Sequence, residues 1–218
     1  MEELIYGKAG VKETAFFIYY NLKSTSNFCD SRIKIITERY DVNSDFHPVS
    51  GLSIIANRID RVCLVLRRSF ISYSYEGEEN IDEHQEKRTI STILDNLFVN
   101  ILSAAEFSMK TYLSGFDSKI NSLTASVKYS VDNAIIDDDF KEIFFDYRQG
   151  RNALVHNNGR VDKTLIKSGH FEKDLFKFEG MEEGSVLETN YKERLEAIEC
   201  IAQMYSKWCS RSMEYHIG

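Results

Sequence analysis

Proline occurs once in the 218 residues, as Pro48, and glycine only 11 times. That composition excludes collagen-like and low-complexity chains, and so few turn residues predict long helices joined by short connections. Cys29, Cys63, Cys200 and Cys209 form no CxxC pair, so neither a zinc-site nor a disulfide-framework spacing is present. No metal and no cofactor is expected. Long apolar runs are lacking too. The longest, residues 15–20 and 62–66, fall far short of the roughly 20 residues a bilayer requires, so no membrane contact is expected. The opening Met-Glu-Glu-Leu is acidic where a signal peptide would be basic, and the expectation is a cytoplasmic protein.

What is present is a core. Hydrophobic residues make up 43% of the chain, with 14 Phe, 12 Tyr and one Trp, which excludes disorder. The 34 acidic and 27 basic side chains give a net charge of −7. Such a chain is not steered globally toward nucleic acid, so contact with one needs a local basic patch.

Periodicity predicts one all-α domain over residues 1–218. Residues 13–22 and 33–40 are apolar and helix-compatible, and 41–48 is turn chemistry. From Leu52 the positions Leu52, Ile55, Ala56, Ile59, Val62, Cys63, Leu66 and Phe70 recur at helical steps, with Arg58, Arg61, Arg67 and Arg68 on the polar side. Residues 74–79 read as a loop. A long helix follows over about 81–113, with Ile90, Ile93, Leu94, Leu97, Ile101, Leu102, Ala105 and Met109 in its stripe and Gly115 beyond it. Residues 116–131 carry a weaker pattern through Ile120, Leu123 and Val127. Asp137, Asp138 and Asp139 mark a helix N-terminus, and that helix is expected over 139–158 with Gly159 left-handed past its end. Residues 163–185 hold a short hairpin or an ordered loop. The last helix spans about 190–214, with Glu193 as capping-box partner to Asn190 and Tyr191, Leu195, Ile198, Ala202, Tyr205 and Cys209 along its stripe.

One segment stands apart: Tyr147-Arg148-Gln149-Gly150-Arg151-Asn152-Ala153-Leu154-Val155-His156-Asn157-Asn158-Gly159. On a helical wheel Phe140, Ile143, Phe144, Tyr147, Leu154 and Val155 form the expected buried face, and Arg151 falls inside it. A guanidinium there needs a carboxylate, for which Glu106 and Asp146 are candidates, or a cleft that opens onto an anion. His156 lies about 140° around the helix from Arg151. Convergence of the two requires irregular backbone near Gly150, a loosened last turn, or a second copy of the helix. Arg and His beside one another suit metal-free RNA cleavage. One group assists attack of the 2′-OH on phosphorus, another protonates the leaving 5′-oxygen, and Arg steadies the phosphorane charge.

The run Arg151-Asn152-Ala153-Leu154-Val155-His156 resembles the Arg-x4–6-His motif of the HEPN superfamily, including the polar residue after Arg. The resemblance covers about a dozen residues; elsewhere it is a match of helical class. It implies a HEPN-like helical bundle and a metal-independent endoribonuclease of toxin–antitoxin or antiphage type. It also implies a homodimer whose two motifs share a cleft, an RNA substrate, and a cognate antitoxin or defence-system protein. Carried over by position, Arg151 and His156 take the catalytic roles and Asn152 the supporting polar one. Arg148 is a candidate RNA contact, and Glu106 a polar residue reaching the site from a neighbouring helix. Members silenced by nucleotide transfer carry Tyr two positions after His, where this chain has Asn158, so that regulation is not expected. Other members are catalytically silent dimeric modules that bind a nucleotide, RNA or protein, and this is the alternative. The row Arg58, Arg61 and Arg68 reads as phosphate-tracking or as a solvated face, and residues 16–20 as core or dimer surface.

Overall fold

The computed structural model describes residues 10–43, 47–76, 83–156, 159–161, 163, 182–186 and 191–217. Among these, six helices account for nearly all the structure: α1 Val11–Tyr40, α2 His47–Glu76, α3 Glu83–Ser114, α4 Leu123–Asp132, α5 Asp138–His156 and α6 Tyr191–Ile217. The described residues contain no strand, only an isolated antiparallel bridge between Arg160 and Val186. The all-α expectation holds. The bridge brings together the two ends of the segment read as hairpin or loop; residues 164–181 lie outside the described residues.

Long helices win here because the apolar stripes are long. Leu52, Ile55, Ala56, Ile59, Cys63 and Leu66 are buried on α2, with Val62 half-buried and the Phe70 side chain outside the described residues. Ile90, Leu94, Leu97, Ile101, Leu102, Ala105 and Met109 are buried on α3, with Ile93 half-buried. On α6 every stripe residue from Tyr191 to Cys209 is buried. α2 packs between α1 and α3, and α6 closes the bundle against all three. α3 is long and apolar enough to cross a membrane by length and composition, a property that the separate apolar runs do not suggest. Its apolar face is occupied by other helices, as expected of a core helix.

Several boundaries differ from the expectation, and the weak pattern over 116–131 becomes a helix only from Leu123. Residues 23–32 continue α1 without a break, because Leu22, Thr25, Ser26 and Cys29 bury small or apolar side chains at helical spacing. α1 then stops at Asp41, left-handed at φ 50°, whose N–H reaches the Thr37 carbonyl. α2 begins earlier than the turn chemistry suggests, at His47, with Pro48 in the first turn, where its missing N–H leaves no bond unmade. It also runs on through Ser74, Tyr75 and Glu76, whose composition predicts a loop. Gly115 follows α3 without adopting the left-handed conformation that Gly159 takes at φ 73°. Asn190 lies outside the described residues.

Close approach of α2 to α6 is set at Gly51. A Cβ there would overlap the Tyr205 hydroxyl and lie 2.8 Å from Ser108 Oγ. The Tyr205 hydroxyl is buried and donates to the Pro48 carbonyl at 2.9 Å. Trp208, fully buried beside it, donates from Nε1 to Ser130 Oγ at 3.2 Å. Arg194 of α6 is buried against Asp95 of α3, with Nε donating at 2.6 Å.

Candidate functional site

α5 starts where its carboxylates cluster. Asp137 Oδ1 accepts the Phe140 N–H at 2.9 Å, and Asp138 and Asp139 occupy the first turn, where negative charge meets the unsatisfied N–H groups. Lys207 of α6 donates to Asp137 at 2.9 Å. Together with the Phe140 N–H it holds that carboxyl below the ordinary 3.8. Phe140, Phe144 and Tyr147 then anchor the helix in the core, and the Tyr147 ring meets Phe98 of α3 edge-on at 6.1 Å.

Arg151 follows Tyr147 by one turn, and Glu106 follows Phe98 by about two turns along α3. This shared direction brings Arg151 against Glu106. Nη1 of Arg151 donates to Glu106 Oε2, and Nη2 donates to Asn152 Oδ1 at 3.1 Å. The two charged side chains keep 18% and 14% of their surface exposed. Of the two candidate carboxylates, the partner is Glu106. Burial lifts the Glu106 carboxyl above its ordinary 4.5, against the opposing pull of Arg151 and then Arg148. Arg148 is half-buried. Its Nη1 donates to Thr124 Oγ1 of α4 at 3.4 Å. Nothing in the sequence points to Thr124. Within this cluster Glu106 Oε1 and Arg148 Nε are buried yet bonded to no described residue, leaving hydrogen-bonding capacity that is costly to leave unused.

His156 stands elsewhere. It is exposed in the last turn of α5. The helix passes Gly150 without interruption, so one of the three routes to convergence is absent. On this continuous helix His156 sits about 7.5 Å along the axis from Arg151 and about 140° around it. A single chain therefore presents Arg151, Asn152, Glu106 and Arg148 as one cluster and His156 as a separate exposed group.

The expected buried face needs one correction. Val155 is 51% exposed, and Leu154 and Ile143 are half-buried, whereas Gly150 and Ala153 are buried. The Gly159 N–H bonds the Ala153 carbonyl at 2.9 Å, and Val161 is buried. The covered side of the last turns therefore runs through Gly150 and Ala153, and Val155 faces outward. Phe107, next to Glu106, is 63% exposed. The aromatic run is split likewise: Ile18 is buried, while Phe16, Phe17 and Tyr20 face outward.

The four cysteines are free, and no group of His, Cys, Asp and Glu among the described residues has the arrangement of a metal site. No protein-family model, curated protein or solved structure matches this chain.

Proposed function

We propose that this chain is a HEPN-like, metal-independent endoribonuclease that works as a homodimer. The observation that carries the reading is the cluster of Arg151, Asn152, Glu106 and Arg148. It gathers the motif arginine, its polar neighbour and a carboxylate from the adjacent helix at a partly exposed position. Glu106 fixes the guanidinium by one hydrogen bond, and Asn152 takes a second. A guanidinium has five N–H donors, so it keeps donors for a phosphoryl oxygen. His156 supplies the proton-transfer group, and a second protomer brings the missing half into reach. Val155, one turn beyond Arg151 and exposed, gives that contact an apolar element.

In this scheme Arg151 stabilises the charge that builds on the phosphorane. The two copies of His156 divide the base and acid roles in 2′-OH attack and 5′-oxygen departure. An antitoxin or defence partner would act by covering the same face.

The second reading, a catalytically silent module, is favoured by the ion pair itself, since a guanidinium engaged with Glu106 also serves as a strut between α3 and α5. One assay separates the two. Purified protein is incubated with total RNA in EDTA beside Arg151→Lys and His156→Ala variants, with the oligomeric state measured by sedimentation equilibrium. Cleavage by a dimeric wild type, lost in both variants, supports the nuclease; equal background in all three supports the strut.

A further inference from the structure

A groove of about 500 Å³ lies between α2 and α3, and no residue of the Arg151 cluster lines it. Arg58 and Arg61 line one wall, Asn96 and Asn100 the other, and Val62 and Leu97 contribute apolar surface. None of the residues lining it is acidic, although acidic side chains outnumber basic ones in the whole chain, 34 to 27. The carboxylates nearest in sequence are engaged elsewhere, Asp60 with Lys23 of α1 and Asp95 with Arg194 of α6. Arg58 donates to the Asn100 carbonyl at 3.2 Å and to its Oδ1 at 2.8 Å, which fixes the guanidinium without neutralising it. Arg61 is exposed and has no partner among the described residues. Two uncompensated guanidinium groups, amides that donate and accept, and an apolar floor match a phosphodiester strand with its bases and sugars.

The groove also points somewhere. Asn100 and Phe107 are seven residues apart on α3, so they lie within about 20° of one another and roughly 10 Å apart along the helix. Phe107 is largely exposed, an aromatic face on which a base can stack. It adjoins Glu106, the partner of Arg151. We infer that the groove between α2 and α3 anchors the backbone of single-stranded RNA through Arg58 and Arg61, with Phe107 stacking a base on the way to the Arg151 cluster. This deepens the reading of the chain as a ribonuclease and rests on it for the choice of RNA.

The test is fluorescence anisotropy with a labelled 2′-O-methyl U12 strand, which lacks the attacking hydroxyl and cannot be cut. Arg61→Glu and Phe107→Ala replace exposed side chains, so the fold tolerates both. Each is expected to weaken binding roughly tenfold or more. In Arg61→Glu the slope of log K against log salt should also fall by about 0.7 for each phosphate left without its arginine. Lys34→Glu, exposed on α1 and outside the groove lining, is expected to bind like wild type. Uridine monophosphate should compete at least tenfold more weakly than the strand; equal competition would mean a mononucleotide site and overturn the strand assignment. Wild-type affinity in both groove variants, or no strand binding by the wild type, would also overturn it. A wild type that cleaves RNA in EDTA while Arg61→Glu binds normally sinks the groove alone. Groove-dependent binding without cleavage sinks the nuclease alone.

Discussion

Replacing Arg151 with alanine strands the Glu106 carboxylate between α3 and α5. Removing one member of an enclosed ion pair costs roughly 3–5 kcal/mol. Here the side chains keep 18% and 14% exposure, and Arg148 still pulls on the carboxylate, so about 2–3 kcal/mol is expected, a Tm fall of roughly 4–12 °C for a chain of this length. The cost should depend on pH with a definite sign. Burial already lifts the folded-state pKa of Glu106 above 4.5, and losing Arg151 lifts it further. An acid raised in the folded state deprotonates first in the unfolded chain, so its contribution is intact below 4.5 and is lost as pH rises through the folded value. The difference between wild type and Arg151→Ala is therefore largest near neutrality and shrinks toward pH 4.5. Urea unfolding at pH 7.5 and 4.5 measures it, and Glu106→Gln combined with Arg151→Ala should remove most of the pH dependence. A penalty equal at both pH values, or larger in acid, would refute the assignment of Glu106 as the stranded charge.

Gly51→Ala forces a Cβ to within 2.6 Å of Tyr205 Cζ, whose hydroxyl is buried and tied to Pro48; about 1–3 kcal/mol of overpacking is expected in urea unfolding. His216 is stacked on Phe116 at 3.8 Å, with Nδ1 donating to the Ser212 carbonyl and the Tyr129 hydroxyl at Nε2. Burial lowers its folded-state pKa below 6.5. Its contribution to stability is therefore present above about pH 6.5 and lost as pH falls through the lowered value, and His216→Phe should flatten that part of the stability–pH curve. Asp137→Ala removes the α5 cap and should cost about 1 kcal/mol at neutral pH, with the difference fading below the ordinary Asp value as the wild-type carboxyl protonates.

Helical periodicity makes the bundle legible wherever a stripe faces one neighbour for its whole length, as on α2, α3 and α6. It fails at Val155, where the covered side of the last turns runs through Gly150 and Ala153 instead, because a wheel contains no tertiary neighbours. The length of α1 is hidden by Thr25 and Ser26, polar residues that pack as small core groups. At the site, an arginine on an apolar stripe announces a buried partner, and Glu106 is within view because small residues beside it permit close helix approach. Arg148 meeting Thr124 is not, since a lone exposed-type threonine on a short helix carries no periodic signal. The arginine row of α2 becomes informative only once the structure sets Asn96 and Asn100 opposite it.

The proposed nuclease requires His156, exposed on the last turn of α5, as its proton-transfer group. The direct test is to incubate wild type and His156→Ala with one RNA in EDTA and analyse the new ends. The wild type is expected to leave 2′,3′-cyclic phosphate termini and His156→Ala none, at unchanged Tm. Identical cleavage by the two proteins, or intact RNA with both, would contradict it.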